Sequence, residues 1–80
     1  MTTVRVRLFA ALREIADASE VQATGGSVRE VLEALSARYG DRFEQIARAG
    51  SAVVDGERAA LDRSVSEGDE IALLPPVSGG

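Results

Sequence analysis

Residues 27–40, SVREVLEALSARYG, hold the clearest structural signal in the chain. Apolar side chains recur at the i, i+3, i+4, i+7 and i+11 spacing of one helix face, at Val28, Val31, Leu32, Leu35 and Tyr39. Ser27 and Glu30 have capping-box spacing, in which the serine hydroxyl accepts from the Glu30 amide and the glutamate reaches back to the Ser27 amide. Gly40 is suited to end the helix. The stretch predicts a main helix on which the rest of the chain packs.

The first strand is predicted over Thr3–Phe9, where apolar and polar residues alternate. Alternation of this kind is typical of a strand with one buried face. The face predicted to be buried carries Val4, Val6 and Leu8. The opposite face carries Thr3, Arg5, Arg7 and Phe9.

The other predicted elements are shorter and lie on both sides of the main helix. In chain order they are a helix at 10–16, a strand at 20–24, a helix that carries its apolar residues within 41–47 and ends by Gly50, and strands at 51–54, 57–61 and 70–74. Asp55-Gly56 is a tight-turn signal, so the strands at 51–54 and 57–61 form an antiparallel hairpin. The final strand arrives from the far side of the main helix and can run parallel beside the first.

This order predicts an α+β fold, a mixed sheet packed on one main helix with a short second helix. The 80 residues suffice for one small domain. We assign residues 1–76 to that domain and residues 77–80 to a flexible tail. No repeat or linker interrupts it.

Composition excludes several classes of protein. Hydrophobic residues make up 45% and charged residues 28%, values typical of a globular chain. There is neither an apolar run long enough to span a membrane nor a leader sequence, so we expect a cytoplasmic protein without a membrane partner. The net charge of −4 argues against binding to nucleic acid.

The chemical inventory is small, because the chain has no Cys, no His and no Lys, and all nine basic residues are Arg. These absences remove thiol chemistry, the commonest metal ligand and general base, and any side-chain amine. We therefore expect no bound cofactor and no metal. If the chain takes part in chemistry, its carboxylates must do it, and the C-terminal one is the best presented.

The C-terminal sequence favours such a role. Pro75 and Pro76 fix φ and supply no amide donors, so they end the last strand and project the final four residues away from it. Val77, Ser78, Gly79 and Gly80 then extend roughly 13–14 Å at about 3.3–3.6 Å per residue. Because glycine has no Cβ, the Gly79-Gly80 end can thread a narrow channel and place its carboxylate in the active site of another protein.

Two stretches resemble one protein family. Residues 8–16, LFAALREIA, are similar to an FA-x-x-R-E segment of the MoaD group in the MoaD/ThiS family, and residues 67–80, EGDEIALLPPVSGG, resemble the PPVSGG ending of that group. The family often has Phe where this chain has Leu74, and Asn-Gly where it has Asp55-Gly56. Both replacements keep the apolar contact and the tight turn. The resemblance implies the ubiquitin-like β-grasp fold.

The resemblance also implies chemistry on Gly80. In the family, a ubiquitin-activating-like adenylyltransferase uses ATP to adenylate the terminal carboxylate, and a persulfide donor converts it to a thiocarboxylate. The tail then delivers sulfur to cyclic pyranopterin monophosphate in the large subunit of molybdopterin synthase. The implied assembly is a heterotetramer of two large and two small subunits. The small subunit donates sulfur and is not an enzyme on its own.

A partner surface is predicted next to the tail. Ile71 and Leu73 match the buried face of the first strand, which leaves Ala72 and Leu74 on the outer face with Phe9. If the first and last strands are neighbours, Phe9 and Leu74 form an exposed apolar patch that favours docking. Pro75, Pro76, Val77 and Ser78 continue this surface, and Gly79 serves threading. Four acids from Asp62 onward also suggest electrostatic steering or a solvated rim.

Alternative functions remain open. A sulfur carrier for thiamin thiazole synthesis would use the same chemistry on Gly80 with another acceptor, although the helix at 10–16 and the Pro-Pro-Val-Ser-Gly-Gly ending favour the molybdopterin branch. A ubiquitin-like modifier would instead be conjugated through Gly80 to lysines of target proteins. A plain interaction domain would leave the tail inert. Target conjugates formed with the native activating enzyme distinguish a modifier from a carrier.

Overall fold

The protein was analysed as a computed structural model that describes residues 2–76. Its elements in chain order are β1 (Thr3–Leu8), α1 (Ala10–Ala16), β2 (Glu20–Thr24), α2 (Val28–Tyr39), α3 (Asp41–Ala49), β3 (Ser51–Val54), β4 (Glu57–Ala59) and β5 (Glu70–Leu74). Every predicted element is present. Two ends differ from prediction, since β1 stops before Phe9 and β4 stops at Ala59, whereas α3 ends just before Gly50 as expected.

The strands form a five-stranded sheet in the order β2-β1-β5-β3-β4. β1 and β5 are parallel neighbours, as the sequence suggested, with Val6 opposite Ile71 and Leu8 opposite Leu73. The other three strand pairs are antiparallel. The predicted α+β class, with a mixed sheet on one main helix, is therefore confirmed, and α1 and α3 complete a set of three helices among residues 2–76.

The core lies between one face of the sheet and the helices. β1, β5 and α2 contribute most of it through side chains that are at most 2% exposed: Val4, Val6, Leu8, Ile71, Leu73, Val28, Val31, Leu32 and Leu35. From α3, Phe43 is fully buried, and its ring centroid lies 5.3 Å from that of Tyr39. The predicted buried faces of β1, β5 and α2 are confirmed. Tyr39 itself is only partly buried.

The N-terminus of α2 is capped differently from the predicted box. Ser27 Oγ accepts from the Glu30 amide at 3.2 Å, as expected, but Glu30 Oε1 accepts from the Gly26 amide at 3.1 Å and not from Ser27. Ser27 instead lies in an isolated β-bridge with Ser64. The backbone at Ser27 is extended, and the Gly26 amide lies within reach of the Glu30 carboxylate. The reciprocal bond therefore forms one residue earlier than in the predicted capping box.

The polar connection before β5 also caps α2. The first helical amides have no partner within a helix. Here the Val28 amide donates to the Arg63 carbonyl at 3.0 Å, and the Arg29 amide donates to the Leu61 carbonyl at 2.8 Å. The Val65 amide returns a bond to the Gly26 carbonyl at 3.0 Å. A segment that looks like a plain loop in sequence therefore holds the start of the main helix.

We predict that Ser27→Ala lowers the free energy of unfolding by about 1 kcal/mol, the usual value of a serine N-cap. Ser19→Ala is the matched control, because Ser19 is exposed and its side chain makes no hydrogen bond among the described residues. Urea unfolding of both variants measures the difference. Equal stabilities of the two variants would contradict the capping role.

Candidate functional site

The chain leaves the sheet at the end of β5. Leu73 is opposite Leu8 of β1, and Leu74 is opposite Ser51 of β3. Pro75 is partly buried and Pro76 is exposed, which marks the transition from sheet to surface. The remaining predicted site residues, Val77, Ser78, Gly79 and Gly80, lie outside the described residues, so their assignment stays a prediction.

Phe9 and Leu74 lie at the same end of two neighbouring strands. Each directly follows the last registered β1–β5 pair, Leu8 with Leu73. Phe9 keeps an extended backbone at φ −130° and ψ 150°, and its carbonyl accepts from the Leu12 amide at 3.1 Å as the first bond of α1. The outward alternation of β1 therefore continues through Phe9, and α1 fixes its position.

Both side chains are partly buried, yet neither packs on the buried core. The partly buried apolar side chains in contact with that core are Ile15, Ala16, Val21, Tyr39, Ile46, Ala59 and Leu61. Phe9 and Leu74 are therefore apolar surface near the base of the tail. Their neighbouring strand positions follow the prediction, and their role in docking a partner remains a prediction.

The outer face of the sheet extends this surface with Arg7 and Ala72, which alternation placed there, and with residues that the sequence prediction did not include. Strand registers place five residues in one row across the sheet: Glu20, Arg7, Ala72, Val53 and Arg58. The row has an apolar centre flanked by arginines, and among residues 2–76 neither Arg7 nor Arg58 forms an ion pair. Alternation in the sequence did not identify Val53, because Ala52, Val53 and Val54 are all apolar, and the structure shows that Ala52 and Val54 are the buried residues.

The acidic residues near β5 have local structural roles. Glu67 Oε1 accepts from the Thr3 amide at 2.9 Å, and Asp69 Oδ2 accepts from the Ser66 amide at 2.8 Å. Glu70 lies 3.9 Å from the Arg5 guanidinium, in register across β1 and β5. These contacts hold the turn that precedes β5. They favour the solvated-rim interpretation for these three acids over a dedicated steering surface.

Within residues 2–76 no group of three His, Cys, Asp or Glu side chains could hold a metal ion. In the same part of the chain, no helix has both the length and the apolar character needed to cross a membrane. The features that remain for function are the outer sheet face and the point where the chain leaves β5.

Comparison with known proteins agrees with this architecture. The ThiS family matches residues 6–80. The chain belongs to the MoaD/ThiS family. It is 36% identical over 81 residues to the molybdopterin synthase sulfur carrier subunit of Escherichia coli, a match that covers 96% of this chain and 99% of that protein.

A second relative is named for a different role. Small archaeal modifier protein 1 of Haloferax volcanii is 39% identical over 88 residues, covering 92% of this chain and 97% of that protein. The solution structure of small archaeal modifier protein 1 from Methanosarcina acetivorans has a TM-score of 0.87 at 31% identity, covering 100% of this chain and 98% of that one. The ubiquitin-like β-grasp fold and the family are thus confirmed, and the relatives include both a sulfur carrier and a modifier.

We predict that Phe9→Ala or Leu74→Ala weakens binding to the large synthase subunit by about 1–3 kcal/mol, as expected for central anchors. Little fold stability should be lost, because neither side chain packs on the buried core. Titration calorimetry and thermal unfolding of each variant measure the two effects separately.

Val21→Ala is the reciprocal control. Val21 is partly buried like the two anchors, but it packs on the core. It should therefore lower stability and leave the affinity unchanged. Native affinity in both anchor variants, or unfolding of either one, would show that the two strand ends do not face a partner.

Proposed function

We propose that this chain is the sulfur carrier of molybdenum cofactor biosynthesis and that the carboxylate of Gly80 is its reacting group. The family match is the main support, because it extends through Gly79 and Gly80. The E. coli relative adds to it, since the similarity covers nearly all of both chains and that protein is a molybdopterin synthase sulfur carrier subunit.

Activation is needed because a bare carboxylate is a poor electrophile. In the proposed first step, a Gly80 carboxylate oxygen attacks the α-phosphorus of ATP and pyrophosphate leaves, which gives an acyl-adenylate. The terminal sulfur of a persulfide then attacks the acyl carbon and AMP leaves. A thiol cleaves the resulting sulfur–sulfur bond, is itself oxidised to a disulfide, and leaves the thiocarboxylate on Gly80.

The described domain lacks the side chains that these steps need, which supports assigning the steps to partner enzymes. Without Cys, His or Lys, it offers no thiolate, imidazole or amine. ATP would be bound by an adenylyltransferase and not by this chain. The domain's part is to be recognised and to hold the tail where a partner can act on it.

Two partners are required by this chemistry, the adenylyltransferase and the large subunit of molybdopterin synthase. The dithiolene of the product contains two sulfurs, so two loaded carriers are consumed per product. That stoichiometry favours a heterotetramer of two large and two small subunits. The apolar surface at Phe9 and Leu74, beside the exit of the tail, would dock against the large subunit. We place the reaction in the cytoplasm.

The modifier function is the second candidate, and the 39% identity to small archaeal modifier protein 1 favours it. A thiazole-forming carrier is the third, with the same chemistry on Gly80. Co-expression with the native activating enzyme, followed by mass spectrometry, distinguishes modifier from carrier. Because the chain has no Lys, side-chain conjugates would have to form on other proteins. Addition of cyclic pyranopterin monophosphate and the large subunit then separates the two carriers.

We predict that a chain ending at Gly79 is not loaded with sulfur and unfolds at the temperature of the full chain. The truncated chain still ends in a carboxylate, but that group lies about 3.3–3.6 Å short of its proper place. Adenylate-dependent loading and thermal unfolding are compared for the two chains. Loading of the shortened chain at the normal rate would refute the assignment of Gly80.

We further predict that Gly79→Ala slows both the activating enzyme and the synthase while domain docking is largely kept. The added methyl restricts the backbone and thickens a tail that must pass through a narrow channel, and it leaves the carboxylate unchanged. Affinity and single-turnover transfer are measured on the same variant. Equal losses in both would make the tail an anchor, and unchanged turnover would contradict threading.

A further inference from the structure

Gly50 lies against the residues from which the tail starts. It follows α3 directly, and its amide donates to the Ile46 and Ala47 carbonyls at 3.1 and 3.2 Å. A Cβ added at this position would lie 1.8 Å from the Leu74 carbonyl oxygen and 3.0 Å from the Pro75 carbonyl carbon. Both neighbours are backbone atoms, so no side-chain rotation could make room for the added carbon.

Space, and not backbone conformation, requires glycine here. The φ of Gly50 is −93°, on the side of the φ range that residues with side chains adopt. Gly40, Gly56 and Gly68 differ, since their φ values are +100°, +84° and +84° and a Cβ would meet nothing within 4 Å at any of them. Gly50 is thus a glycine in close backbone contact with the end of β5.

The contact lies beside the last pair of residues in the sheet before the tail. The Asp55 amide donates to the Glu70 carbonyl at 3.3 Å, and every second pair of an antiparallel ladder exchanges such bonds. Four residues further along the register from the Asp55–Glu70 pair, and so again at a hydrogen-bonded pair, Ser51 lies opposite Leu74. The Leu74 carbonyl is therefore the acceptor for Ser51, and the clash at Gly50 would fall on this oxygen.

We propose that Gly50 is a positioning residue for the reactive tail, an inference that rests on the proposed function. By admitting the Leu74 carbonyl next to the end of α3, it fixes Leu74 in the last ladder pair. It thereby sets the direction in which Pro75 and Pro76 lead the chain away. A side chain at position 50 displaces that point of departure, because the nearest atoms that it meets belong to Leu74 and Pro75, whereas Phe9, which follows β1, is not among them.

The test compares Gly50→Ala with Gly26→Ala. Gly26 is a matched control, because an added Cβ would meet only Glu30 Oε1, at 3.8 Å, and its φ is not in the left-handed region. Three quantities are measured below the melting temperature: amide hydrogen exchange at Ser51 and Leu74, affinity for the activating enzyme, and the single-turnover rate of sulfur loading.

We expect Gly50→Ala to speed exchange at Ser51, to keep the affinity within about threefold of native, and to lower the loading rate at least about 10-fold. Misplacement of a reacting group by about 1 Å can cost up to about 100-fold in rate. Gly26→Ala should match the native chain in all three. If Gly50 had a purely structural role, Gly50→Ala would lower the stability of the fold but would not lower the loading rate more than the affinity for the activating enzyme. Equal loading rates for the two alanine variants would overturn the proposal.

Pro75→Gly keeps the test decisive if Gly50→Ala does not fold. It leaves Gly50 and the Ser51–Leu74 pair in place, frees φ at the start of the tail and adds one amide donor there. A lowered loading rate at native affinity supports positioning, and a native rate overturns it. If the native chain itself is not loaded, the proposed function fails instead, and faster exchange at Ser51 in Gly50→Ala still reports the contact.

Discussion

The parallel pairing of β1 and β5 is the interaction on which the rest of the structure depends. It joins the first and last strands near the centre of the sheet, and the buried side chains of both strands belong to the same core cluster as those of α2. The turn before β5 is tied to β1, since the Arg5 amide donates to the Asp69 carbonyl at 3.0 Å and the Gly68 amide to the Thr3 carbonyl at 2.9 Å. Because the pairing ends with Leu8 and Leu73, it also brings Phe9 to the base of the tail.

Most of the fold could be predicted because its signals are local. Alternation in β1, the apolar stripe of α2 and the Asp55-Gly56 turn each lie within a few residues, and all three appear where the sequence placed them. The missed details depend on long-range pairing. Glu30 bonds to Gly26, and the loop carbonyl of Arg63 caps α2, because the segment before β5 returns to Ser27. No local pattern in the sequence predicts that the segment before β5 lies next to Ser27.

The residues of the candidate site also divide into those that local patterns predict and those that depend on long-range pairing. Alternation predicted Phe9 and Leu74 on the outer face, since each follows a buried residue by one position. Val53 and Arg58 join that face only once the register of β3 against β5 and β4 is known. Gly50 was visible in the sequence merely as the end of a helix. Its contact with Leu74 joins residues that are far apart along the chain, so only the distance in space shows why a side chain is excluded.

In the proposed function the reacting group lies at Gly80 and not in the core, which agrees with one architecture being shared by relatives named for different roles. The sulfur carrier subunit of E. coli and the modifier of H. volcanii are both similar to this chain over nearly its full length. An activated acyl group can accept sulfur from a persulfide or an amine from a lysine, and in the proposed chemistry the core of the domain would take part in neither step. Under that proposal the outcome would be decided by which nucleophile a docked partner presents. The outer sheet face and the departure of the chain from β5 would then be the places where this chain influences that choice.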